Sequence, residues 1–318
     1  MDLFIKFLVA AIGAGTPLLF GTVGEILNEK VGHLNLGVEG MMAIGACAGF
    51  MGGYLSDNFL VALVCAFLAG LLAALIYAVL TVTFMANQNV AGLTMTIFGV
   101  GISNFIGVYM IGTSEGGTLK LPETVTAQMR SIHIPVLSDL PVVGELLFSY
   151  NPFVYLGIVV AAVTGWYLYR TKTGLNVQAI GENPGAADAA SIQVTKWKYF
   201  NILLGGGICG IGGAYCGMII NGGVWISNSV NGLGWIAVAL VIFAAWKPHM
   251  AILGSFVFGA LRVLKYYKVG FMVNLPDAFF DMLPFLITAL VLIITSMRGS
   301  KGAHIPAFLG NNYFREER

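Results

Sequence analysis

The chain has 318 residues, of which 58% are hydrophobic and only 10% charged, and its mean hydropathy is +0.85. Soluble domains carry about 25% charged residues, so a chain this poor in charge cannot cover itself with polar surface and must expose most of its exterior to lipid. A net charge of +1 gives no reason to expect a nucleic-acid partner.

A spanning helix needs about 20 predominantly apolar residues. The candidate spans are Leu3–Val23, Val38–Leu55, Phe59–Met85, Val90–Ile111, Pro152–Tyr169, Tyr199–Ile220, Trp235–Trp246, Ala251–Leu264 and Ala278–Met297. The first lacks a basic n-region and an obvious cleavage site, and reads as a retained helix rather than a signal peptide. The seventh and eighth are short and separated by Lys247-Pro248-His249, which leaves open two brief helices, a broken helix or a re-entrant pair. The pattern predicts an all-α, polytopic transmembrane bundle of about 8–10 spans with discontinuous or re-entrant segments, forming a single domain over 1–318. Gly45, Gly49 and Gly53 recur every four residues, as do Gly206 and Gly210, and Gly213 and Gly217. Small residues at this spacing let helix backbones approach closely where lipid gives no hydrophobic drive for association. Cys47, Cys65, Cys209 and Cys216 all lie in apolar stretches at no zinc-binding spacing, and read as buried free thiols.

Arg170, Lys172, Lys196 and Lys198 place the loop 171–198 in the cytoplasm. Counting from there, the loop 113–150 is extracytoplasmic, the N-terminus is external, and the tail with Arg298, Lys301, Arg315 and Arg318 is internal. The same count puts Arg262, Lys265 and Lys268 outside, against the positive-inside rule, so the tail is kept internal and the side of the N-terminus stays open.

Two polar segments stand out. In 181–190, Asn183 is placed to cap a helix and Pro184 suits the first helical position, where its missing N–H would be unpaired anyway. The alanines that follow favour a short helix of little bulk, either an ordinary solvated loop helix or one that seats in another protein's groove. Trp197, between Lys196 and Lys198, reads as an interfacial anchor for the next span. The second segment, 25–40, joins two apolar spans but is denser in polar groups and glycine than a turn requires. Breaks of this kind are tolerated at membrane depth only where the backbone is buried in protein or lines a wet cavity. Glu39 should face the protein interior, or else sit at the interface of a plain turn.

The stretch Gly32–Gly40 with Met41-Met42, together with Gly174-Leu175, 179–184 and Ala186-Ala187, resembles the permease family of bacterial ABC importers that includes branched-chain amino acid and ribose transporters. Within it the form "LNLGVEGMM" is most similar to the nucleoside subgroup, which works with a lipoprotein receptor. The resemblance covers nearly the whole chain, and His33 departs from it where a small apolar residue is expected. It implies that 171–198 is a cytoplasmic coupling loop in which Gly181, Glu182, Asn183, Pro184, Ala186 and Ala187 contact an ABC ATPase subunit. It further implies a second, related permease subunit and an extracytoplasmic substrate-binding lipoprotein, for whose docking 113–150 offers Glu115, Lys120, Glu123, Arg130 and Asp139.

The chain has no G-x-x-x-x-G-K-[ST] motif, so ATP and Mg are expected to be used by a partner ATPase, and this chain is expected to bind no cofactor. The candidate translocation path comprises Asn35, Glu39, Asn87, Asn89, Thr94, Asn104, Asn221, Trp225 and Asn228, amides and aromatics that suit a neutral, hydrogen-bonding nucleoside better than an amino acid with two charges. A sugar or branched-chain amino acid permease is the alternative within the class, and an ion-coupled secondary transporter the alternative outside it. An intramembrane enzyme is disfavoured, because His33, His133, His249 and His304 are scattered and no paired-carboxylate or Ser/His arrangement appears.

Overall fold

Backbone amides in hydrocarbon must be satisfied within their own segment, which makes the helix the natural spanning element of this chain. The computed structural model describes residues 2–114, 116–132, 143–267, 275–297 and 305–314. Glu115, Asp139, Lys268, Arg298, Lys301, Arg315 and Arg318, which carry docking or orientation expectations, lie outside them, as do the two scattered histidines His133 and His304. The helices are α1 (Asp2–Lys30), α2 (Val38–Ser56), α3 (Phe59–Ala78), α4 (Gln88–Thr113), α5 (Glu123–Gln128), α6 (Val143–Leu147), α7 (Pro152–Arg170), α8 (Lys172–Glu182), α9 (Pro184–Ala189), α10 (Val194–Tyr215), α11 (Leu233–Phe243), α12 (Pro248–Val263) and α13 (Asp277–Met297). Single π-helical turns extend α3 through Val79–Thr83 and α10 through Cys216–Ile220.

Among the described residues, six segments, carried by α1, α2, α3, α4, α7 and α10, are long and apolar enough to cross a membrane. The shorter α11 and α12 and the C-terminal α13 occupy the last three anticipated stretches. The described residues form no strand, and their one isolated bridge pairs Lys120 with Val224.

α10 lies at the centre, and glycine decides how near its neighbours come. A Cβ added at Gly210 would meet the carbonyl of Ala66 and the Cα of Gly70 on α3, and one added at Gly45 on α2 would meet the backbone of Gly210. Gly213 faces the carbonyl of Met42, and Gly205 faces that of Gly24 on α1. The four-residue glycine spacing is therefore a backbone-to-backbone packing device. α3 shows the same logic inverted: Ala62, Ala66, Gly70, Ala73 and Ala74 face inward, while Leu60, Val64, Leu68, Leu72 and Ile76 are exposed and form its lipid face. All four cysteines are free.

One expectation needs correction. The first helix does not stop near Val23: it continues to Lys30, and Glu25, Asn28 and Glu29 are buried helix residues rather than parts of a polar connection. Glu25 accepts hydrogen bonds from Asn28 Nδ2 (2.8 Å) and the Asn35 amide (2.9 Å), and Glu29 accepts one from the Trp246 indole. Their polarity is turned into the bundle, where protein supplies donors that lipid lacks, so the break shrinks to 31–37. Next to the half-buried Trp197, Lys198 is turned inward: it is 3% exposed within α10, its ammonium 5.9 Å from the centre of the Phe308 ring.

Lys30, the turn before α4, α8, α9 and residues 305–314 gather at one end of the bundle, here called the α9 end. Arg262 and Lys265 lie toward the other end, beside Tyr215 and Ile219, and Lys265 pairs with Asp281 at 2.8 Å. Gly210→Ala is expected to destabilise the protein by about 1–3 kcal/mol through overpacking. Gly101→Ala, with no heavy atom within 4 Å, should leave stability unchanged or slightly raised. Thermal unfolding of the two purified variants in the same detergent checks this.

Candidate translocation cavity and coupling segment

After the π turn of α10 the chain does not enter another full span. It reverses at Gly222 and Gly223, whose φ of 62° and 78° suit glycine. It is pinned there by bonds from Leu121 N to Gly223 O (2.8 Å) and from Trp225 N to Leu119 O (2.9 Å). It then descends along α4 without helical structure. The Trp225 indole packs where a Cβ on Gly107 would sit, and Asn228 pairs reciprocally with Asn104: Asn104 Nδ2 donates to Asn228 Oδ1 (2.7 Å), and Asn228 N donates to Asn104 Oδ1 (2.9 Å). α11 starts only at Leu233, below this descent.

The start of α11 is held by one side chain. Glu39, in the first turn of α2, accepts hydrogen bonds from the amides of Gly232 (2.8 Å) and Gly234 (2.7 Å). A carboxylate there satisfies two of the otherwise orphaned amides and complements the helix dipole. The neighbouring Gly40 packs on Met95 and Thr96, seven and eight residues into the 26-residue α4, which sets this junction about 10–12 Å from the α9 end of that helix. The seventh candidate span is thus a half-helix that begins inside the bundle, and irregular backbone at that depth lines a cavity, as the physics of bilayers requires.

The cavity is about 220 Å³, bounded by Glu39, Val100, Ser103, Asn104, Asn228 and Asn231 among others. Of the sequence-predicted path residues it brings together Glu39, Asn104 and Asn228. Asn35 is fully buried and spends its side-chain oxygen on the Gly37 amide (2.8 Å). Asn87 caps α4 through the amides of Asn89 and Val90 at the α9 end, where Asn89 is exposed. Thr94 is exposed too and bonds back to Val90 O (2.9 Å). Asn221 and Trp225 sit above the cavity, where the buried Asn221 Nδ2 and Trp225 Nε1 make no hydrogen bond and the indole ring meets Phe50 edge-on at 5.4 Å.

At the α9 end, α8 and α9 meet at Asn183, whose side chain accepts from the Ala186 amide (3.0 Å) with Pro184 in the first turn, as the sequence anticipates. Gly181, Pro184 and Ala187 are buried, while Glu182, Asn183 and Ala186 are exposed, so the segment is seated on one side and open on the other. A strap of residues 305–314, for which the sequence gives no signal, ties this segment to the rest. Phe308 N donates to Gly181 O (2.9 Å), Ala307 N to Glu182 (3.3 Å), Gly310 N to Gly32 O (3.3 Å), and the Tyr313 hydroxyl to Asp188 (3.0 Å). Gln88 reaches the strap at Asn311 O, and Asn312 Nδ2 reaches Met85 O and Ala86 O.

A bundle of apolar helices with a half-helix, a polar cavity at depth and a short capped helix presented at one end defines a multi-pass membrane transport protein. The family model described as "Branched-chain amino acid transport system / permease component" matches residues 7–292, and the chain belongs to this family. It is similar to a candidate glucose ABC transporter permease protein, TsgC13, of Haloferax volcanii (34% identity, over 83% of this chain and 78% of that one). It is also similar to the nucleoside ABC transporter permease protein NupC of Lactococcus lactis (30%, 88% of each chain) and to the guanosine ABC transporter permease protein NupQ of Bacillus subtilis (29%, 89% of each). The chain is therefore a transport subunit of the cytoplasmic membrane, and its class works with an ATPase partner.

Glu39→Leu should leave the Gly232 and Gly234 amides orphaned, at about 1–3 kcal/mol each, whereas Glu39→Gln keeps one acceptor and should lose less. Comparing their thermal midpoints with the parent's tests whether Glu39 is a structural cap; equal losses would contradict it.

Proposed function

We propose that this chain is the membrane-spanning permease of an ATP-binding-cassette importer that moves nucleosides by alternating access. The observation that carries the substrate class is the cavity itself: Ser103, Asn104, Asn228 and Asn231 offer neutral donors and acceptors, and the one carboxylate, Glu39, is already committed to backbone amides. A nucleoside presents hydroxyls and a base edge that such groups match, whereas a zwitterionic amino acid asks for partners for two charges. The names of NupC and NupQ support the same class. A sugar is the second reading, favoured by the name of TsgC13 and by the same hydroxyl-matching groups.

In this reading α9 is the coupling helix. Glu182, Asn183 and Ala186 face the ATPase, and Gly181, Pro184 and Ala187 anchor the helix to the bundle. ATP and Mg act on the ATPase subunits, a related permease forms the second membrane half, and a substrate-binding lipoprotein delivers solute at the end opposite α9. The close approach of Gly181 to Lys30 O supports transmission from α9 into α1, since any shift of the loop presses on that helix.

The test is uptake of radiolabelled uridine, guanosine and glucose into proteoliposomes that hold this chain, its partner permease and ATPase, with receptor outside and ATP trapped inside. ATP-dependent nucleoside uptake is expected; glucose uptake in its place establishes the second reading, and uptake that needs only an ion gradient overturns both. Asn104→Ala should raise KM about tenfold, because it also strands Asn228. Asn183→Ala removes a cap worth about 1 kcal/mol and should lower ATP-coupled uptake while leaving substrate KM unchanged.

A further inference from the structure

A cavity of about 730 Å³ lies at the α9 end. Its walls come from the π turn of α3 (Thr81), the turn before α4 (Met85), the end of α9 (Asp188), the start of α10 (Lys196, Lys198) and the strap (Tyr313). Lys198 is the unusual member. It is 97% buried by its 3% relative exposure, yet among the described residues its ammonium makes no hydrogen bond and no ion pair, only the contact with the Phe308 ring. Asp188, the acid in the lining, already receives the Tyr313 hydroxyl. A buried cation without an anion is costly, and a carboxylate that reaches it offsets that cost.

We propose that this cavity is an anion-accepting socket, in which Lys198 receives a carboxylate side chain of the ATPase subunit seated on α9. The occupant follows from position and charge. Asp188 and Ser191, at the end of α9, are part of the rim, so a protein resting on the exposed side of α9 covers the mouth. Lys196 is exposed at the same mouth and adds a second positive charge. The socket thus gives the docking surface a positive electrostatic register beside the alanine-rich helix, where the charges, Glu182 just before it and Asp188 within it, are negative. The strap completes it from below, with Phe308 against the lysine and Tyr313 in the wall. This inference rests on the reading that a separate ATPase docks at α9.

The experiment measures affinity of the cognate ATPase for the full-length permease in nanodiscs across a range of salt, for the parent, Lys198→Met, Lys198→Arg and the exposed Lys172→Met. Lys198→Met is expected to weaken binding about tenfold or more and to flatten its salt dependence, with Lys198→Arg restoring much of it and Lys172→Met unchanged. Its thermal midpoint should be equal to or above the parent's, since an unpaired buried charge has been removed. Unchanged affinity in Lys198→Met overturns the proposal, and a lowered midpoint with unchanged affinity assigns the lysine a structural role instead. Inorganic phosphate is the probe for a free anion: phosphate binding to the permease alone that depends on Lys198, while ATPase affinity does not, also overturns it. Deleting 315–318, which carry Glu316 and Glu317, should leave the Lys198 dependence intact; its disappearance would assign the socket to the chain's own tail. A parent protein that binds no ATPase overturns this inference and the importer reading together.

Discussion

Much in this bundle depends on how closely the backbone of α10 can lie against three other helices. Lipid tails are as apolar as leucine, so helices gain little by merely leaving them, and association falls to van der Waals contact between matched surfaces. Gly210 between Gly45 and Gly70 brings three main chains together where any side chain would hold them apart. That closeness has consequences further out. α2 is fixed against α10, so Glu39 in its first turn is fixed as well, and with it the point at which α11 begins. The cavity beside Asn104 inherits its shape from a glycine contact on another face of the same helix.

The parts of the fold governed by local rules are readable in the sequence. Apolar stretches mark the helices, and Asn183-Pro184 marks the start of α9, because capping depends on residues within a turn of each other. The parts governed by what a side chain faces are not. Glu25 and Glu29 are polar letters in a helix that happens to turn them inward, and composition cannot distinguish that from a solvated turn. Asn104 and Thr94 lie on one helix and look equally suited to a path, but only Asn104 finds a partner outside its own helix, because a segment 124 residues away folds back beside it; Thr94 bonds back to Val90 O. The strap is less legible still: several of its ties use backbone amides, which every sequence possesses.

Polar groups inside the bundle sort into two roles. Some hold architecture, as Glu39 holds α11, Asn35 holds the turn before α2, and Tyr77 reaches Leu34 O at 2.8 Å. Others keep capacity to spare, as the Asn221 amide and the Trp225 indole do above the cavity. His33 belongs with neither: it is fully buried, and both ring nitrogens lack a hydrogen-bond partner. The division separates residues whose hydrogen bonds set the bundle's geometry from residues with hydrogen-bonding capacity still free.

The strap has a further consequence in the order of synthesis. Residues 305–314 follow every span, yet they fasten Gly32, the turn before α4 and both sides of the α8–α9 junction. During translation each helix can enter the membrane and pack while these anchoring points stay unjoined, so the α9 end is the last region to acquire its final form. A chain stalled before the strap carries all the described helices but an unfinished face at that end.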